Sequence, residues 1–190
     1  VEYNPGGEKT LLTKYLPTFV THYFFKEKVF LVLDGDMQTD YVFNMDELTV
    51  KQEKNVSYMK ECVNKAYGVD IQAYIDGGQG GKREDQEIKI YKEYLKYHNN
   101  SVFYLPNKSI PEKILLESKY VAEEYGDIVN ENMEITNANA KGILLAISKS
   151  DYGNEGHVKD LTEKLAYKWS MEESANKTKV EEILNDIYKK

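Results

Sequence analysis

Asp34 and Asp36 are the residues of this chain whose type and spacing point most directly to chemistry. They close the run Val29-Phe30-Leu31-Val32-Leu33-Asp34-Gly35-Asp36, five apolar residues followed by two carboxylates that flank a glycine. On an extended chain residues i and i+2 point the same way, so both carboxylates face one region. Two like charges this close repel unless a cation sits between them, and hard oxygen donors suit Mg²⁺ or Mn²⁺. Gly35 lets the backbone turn closely around whatever the pair holds. The plainer reading is a strand ending in an Asp-Gly turn. Metal binding is the reading adopted.

The elements that must position this pair follow from hydrophobic spacing. Residues 29–33 predict a strand buried on both faces, as in a parallel sheet, whose carboxyl end is where an α/β fold places its site. Val1–Tyr3 predicts a short strand broken by Asn4-Pro5-Gly6-Gly7. Leu12, Leu16, Phe19, Val20 and Tyr23 then trace one helix face, with Pro17 expected to kink it. Strand, helix and strand make a βαβ unit with a parallel sheet. A helix is expected over about 45–67, stopping at Gly68, then a strand over 69–75 and a glycine-rich loop from Asp76 to Lys82-Arg83. Beyond a helix over 85–97 and a strand over 101–105, helices take over at about 111–125, 138–149, 157–169 and 178–189. The fold class read from this order is α/β: a small, mostly parallel sheet flanked by helices, with a C-terminal helical cluster. The boundary is expected at 125/126, giving units of 1–125 and 126–190.

A second acidic position comes from element order. Val102-Phe103-Tyr104-Leu105-Pro106 leads through a short loop to Pro111-Glu112. A Glu just after a helix-opening Pro is ordinarily a partner for the helix dipole. Here it also lies past the carboxyl end of a strand expected in the same sheet as residues 29–33. Asp34, Asp36 and Glu112 would then face one edge and hold one or two divalent metals, as in-line phosphoryl transfer requires.

The Asp-Gly-Asp strand end, Gly6-Gly7 before the first helix, and Leu105-Pro106 followed by Pro111-Glu112 together resemble the TOPRIM metal-binding domain. The resemblance is to the TOPRIM domains joined to an ABC-type ATPase in the OLD family of bacterial endonucleases and their relatives in phage defence. It runs over about residues 1–120 and implies a Mg²⁺- or Mn²⁺-dependent endonuclease domain. DNA is then the substrate, an ATPase domain of the same parent chain a partner, and a homo-oligomer an open assembly state. By position Asp34 and Asp36 match the family's metal ligands, Glu112 its downstream acidic residue, and Lys141 the basic residue set near the scissile phosphate. The family's hallmark Glu is expected upstream of Val1 with the first strand, because Glu2 is followed by Tyr rather than Gly. That implies an incomplete metal site in this piece of a longer protein.

Composition narrows the field. The formal charge is −7 and 41% of residues are hydrophobic, which suits a globular core and argues against a broadly basic nucleic-acid surface. Carboxylates that hold metals add to that negative count, so a nuclease site stays compatible. One cysteine, Cys62, and three separated histidines leave no disulfide framework or His/Cys metal cluster. With no membrane-length apolar run and no leader pattern, a cytoplasmic location is expected. The rivals are a nucleotide-sugar glycosyltransferase, whose Asp-x-Asp needs a longer nucleotide-binding half ahead of it, and a phosphatase, which usually continues Gly-Thr. A non-catalytic interaction module with a degenerate site is the third. His98, near a helix end, reads as a favourable place for a cation. Tyr91, Tyr94 and Tyr97 read as packing residues, with base stacking as the alternative.

Overall fold

The computed structural model describes residues 7–21, 29–75, 82–129 and 134–190. Among the described residues the chain is mostly helical with one small parallel sheet, and its contacts divide it into two compact units. The first comprises residues 1–33 and 37–104, the second residues 34–36 and 105–190. Expectations for Val1–Tyr3, Glu2, Gly6, Tyr23 and the glycines of 76–81 lie outside the described residues.

In the first unit, α1 (Gly7–Thr10) and α2 (Leu16–Thr21) are joined by a π-helical turn over Leu11–Tyr15. Pro17 explains that turn. A proline ring collides with the carbonyl four residues earlier in a regular α-helix, and a widened turn moves that carbonyl away. The Leu16 amide accordingly donates five residues back, to the Leu11 carbonyl. The expected kink is therefore a π turn, and Leu12, Leu16 and Val20 still share one buried face.

β1 (Leu31–Leu33) pairs in parallel with β2 (Val102–Tyr104), Val32 standing opposite Phe103. The crossover carries α3 (Val50–Glu53), α4 (Val56–Tyr67) and α5 (Arg83–Ser101). The predicted burial of β1 on both faces is corrected here. Leu31 and Leu33 are buried while Val32 is 45% exposed, because only one face of this two-stranded sheet is covered. So short a sheet depends on the helices packed against it.

Residues 69–75 form no strand. Their amides find side chains instead: Ile71 N–H donates to Asn64 Oδ1 at 3.0 Å and Ala73 N–H to the Tyr91 hydroxyl at 3.3 Å. The expected 45–67 helix is likewise interrupted, by a capping box of Thr49 with Gln52 and by Asn55 capping α4. It ends at Gly68, whose φ of 69° is the left-handed stop that glycine adopts cheaply.

The tyrosines of α5 are packing residues with polar ties. Tyr94 and Tyr97 are buried, the Tyr67 hydroxyl donates to the Tyr94 carbonyl at 2.9 Å, and the Tyr97 hydroxyl to the Val29 carbonyl at 2.6 Å. His98 corrects an expectation. Its ring meets Tyr67 edge-on at 4.9 Å and its Nε2 lies 3.1 Å from the Tyr104 hydroxyl. Burial in this aromatic setting pushes its pKa below the usual 6.5, so the helix end holds a neutral imidazole. The unfolded chain then binds more protons as pH falls below about 6.5, and the first unit loses stability in that direction. The melting temperature should fall between pH 7 and pH 5, with a smaller fall for His98→Gln. Equal falls in both proteins would dissociate the effect from His98.

The second unit holds α6 (Pro111–Leu116), α7 (Lys119–Glu124), α8 (Gly126–Val129), α9 (Asn137–Tyr152), α10 (Val158–Met171) and α11 (Ala175–Lys189). Ser118 caps α7, dividing the single helix expected over 111–125. Leu115, Leu116, Val121 and Tyr125 pack with Ile143, Leu144, Ile147, Leu161 and Leu165 in one core. That packing draws residues 105–125 into this unit, whereas the sequence reading drew its boundary at 125/126. The α10 stripe faces the core as expected. The α11 stripe does not: none of its residues is buried, and Tyr188 is 91% exposed.

One polar triad ties three of these segments. The Tyr125 hydroxyl donates to Asp151 Oδ2 at 2.6 Å, and Lys164 Nζ donates to that hydroxyl at 2.7 Å and to Asp151 at 3.0 Å. Burial pushes the Tyr125 phenol up to about 12, while the hydrogen bond from Tyr125 holds Asp151 below the ordinary carboxylate range. Among the described residues no helix is long and apolar enough to cross a membrane.

Candidate metal centre

β1 ends at Leu33 and delivers Asp34 directly into a 3₁₀ turn over Gly35–Met37. The turn is clasped by the loop after β2. Gly35 N–H donates to the Ser109 carbonyl at 2.9 Å, and a Cβ on Gly35 would sit 2.4 Å from the Leu105 carbonyl oxygen and 2.6 Å from the Ser109 nitrogen. Only a residue without a side chain fits. The glycine is thus required by close approach to neighbouring backbone, rather than by wrapping around a ligand.

Asp34 is half-buried and Asp36 exposed. A carboxylate oxygen of Asp34 lies within 4.8 Å of one of Asp36. Those two donors are hard oxygens at a spacing a divalent cation bridges, with Mg²⁺ and Mn²⁺ the ions this chemistry favours. Glu8 stands in the first turn of α1 in the first unit, where the helix dipole accounts for it.

Glu112 stands in the first turn of α6 behind Pro111, as expected, but it is not a member of the close carboxylate group. Its Oε1 lies 3.8 Å from Lys141 Nζ, whose side chain is 73% exposed. An ion pair that open to water contributes about 0–1 kcal/mol. Glu112 and Lys141 therefore find each other, apart from the Asp34–Asp36 pair.

Comparison with protein-family models, with curated proteins and with solved structures finds no match. The functional reading therefore stands on local geometry and on the motif resemblance.

Proposed function

We propose that this chain is a Mg²⁺- or Mn²⁺-dependent phosphodiester hydrolase domain of TOPRIM type, the nuclease part of a larger ATPase-linked DNA endonuclease. The observation that carries the reading is the close approach of the Asp34 and Asp36 carboxylates at the carboxyl end of a parallel strand. Asp34 and Asp36 would hold the cation, which when bound supplies Lewis acidity toward a phosphate oxygen and a water of lowered pKa. Asp34, set closer to the protein interior, fixes the donor geometry, and exposed Asp36 leaves the outer side open to substrate. Glu112 and Lys141 form a neutral pair at the start of their helices. Released from Glu112, Lys141 offers a positive charge to a phosphate.

The engagement of Glu112 by Lys141 favours one second reading, a non-catalytic interaction module that retains only the aspartate pair. Nicking of supercoiled plasmid DNA separates the two. The nuclease reading expects Mn²⁺-dependent relaxation of the plasmid that EDTA stops, whether by this chain or by its longer parent. Intact plasmid after prolonged incubation of both with Mn²⁺ would contradict it and leave the interaction module.

A further inference from the structure

The loop that clasps Gly35 is itself held in an unusual backbone conformation. Asn107 and Lys108 have φ of 59° and 52°, the two non-glycine residues with positive φ among those described. Asparagine tolerates this region, but lysine rarely enters it without outside support. Two helices provide that support. From α9, Asn137 Nδ2 donates to the Lys108 carbonyl at 2.8 Å, and its Oδ1 accepts from Ile110 N–H at 3.3 Å. From α11, Lys179 Nζ donates to Asn107 Oδ1 at 2.7 Å, and Asn107 Nδ2 donates to Asn176 Oδ1 at 2.8 Å. Two residues further on, the Ser109 carbonyl accepts the Gly35 amide.

The same contacts hold α11. None of its residues is buried, and Val180, Ile183 and Ile187 of its apolar stripe are only half-buried. Its described attachments are polar and gathered at its N-terminal half, through Asn107 and through Asn176 Nδ2 to Glu117 Oε2 at 3.1 Å. Asn107 is therefore the joint at which helix and loop fix one another.

We infer that α11 is a positioning element for the Asp34–Asp36 pair, acting through Asn107 and the Ser109–Gly35 hydrogen bond. Its consequence for cation affinity rests on the proposed metal reading; the mechanical link does not. Seating of α11 keeps the 105–110 loop in its left-handed form, and the loop keeps the two carboxylates at cation-binding separation. Reciprocity requires that a cation at the aspartates strengthen the seating of α11.

The test uses the full chain and two variants. Asn107→Gly tolerates positive φ, so the loop remains accessible while both side-chain bonds to α11 are lost. Lys179→Met removes one of the two bonds between α11 and Asn107, leaving that of Asn176, and keeps the loop sequence intact. Amide exchange read by NMR at Gly35, and Mn²⁺ affinity read by calorimetry, are compared with the wild type. Both variants should exchange the Gly35 amide about tenfold faster and bind Mn²⁺ about fivefold or more weakly, within the usual range of coupling between sites. Added Mn²⁺ should slow exchange across residues 175–189 of the wild type. Wild-type protection at Gly35 in both variants would overturn the inference. Faster Gly35 exchange in a chain that binds no Mn²⁺ would uphold the link and overturn the cation reading alone.

Discussion

Asp34→Ala is expected to abolish divalent-cation binding and, with it, any Mn²⁺-dependent cleavage of DNA. Asp34 is the half-buried member of the aspartate pair and follows the strand without an intervening residue, so its position is the more constrained of the two. Removing it leaves Asp36, which is exposed, as the one carboxylate on the turn. Affinity for hard cations depends steeply on ligand charge and number. At the 4.8 Å limit of their separation the two aspartates repel by about 1–3 kcal/mol between water-like and protein-surface dielectrics. Loss of one charge relieves that repulsion and also removes the interaction Asp34 makes within the protein, so the variant should stay folded with little net change in melting temperature without metal. The measurement pairs Mn²⁺ calorimetry with thermal melting in EDTA. Unchanged Mn²⁺ binding in a folded Asp34→Ala protein would return the Asp-Gly-Asp turn to a purely structural role.

Gly35→Ala should produce the largest loss of stability of any single methyl addition in the turn. The new carbon would lie 2.4 Å from one backbone oxygen and 2.6 Å from one backbone nitrogen, both on the 105–109 segment. No side-chain rotation relieves such contacts, so the turn or the loop must move. Overpacking of this kind costs about 3 kcal/mol, and the displaced loop carries the Ser109 carbonyl away from the Gly35 amide. A denaturant midpoint well below wild type is expected, together with weakened Mn²⁺ binding in whatever fraction stays folded. A midpoint within error of wild type would mean that the clasp between turn and loop does not exist in solution.

These two residues also show where the sequence was legible. The strand ends at Leu33 and Tyr104 could be read because apolar runs stopped sharply, at Asp34 and at Leu105-Pro106. Their parallel pairing followed from the long helical crossover between them. Gly68 was readable as a helix stop because its chemistry is local. The reason for Gly35 was not, since it depends on a backbone 70 residues away. Val32 was misjudged because an apolar run does not reveal how many strands flank it, and with two strands one face stays open. Residues 69–75 looked like a strand by alternation, yet Asn64 and Tyr91 satisfied their amides from the side. Glu112 was placed in the right helix turn, but its partner Lys141 lies on another helix and no spacing rule links them.

The central claim is that Asp34 and Asp36 share a divalent cation, and anomalous diffraction from crystals soaked in Mn²⁺ tests it most directly. A manganese peak is expected about 2.0–2.6 Å from one oxygen of each aspartate. A well-ordered turn with no peak there at millimolar Mn²⁺, or with the two carboxylates engaged only by protein groups, would contradict it.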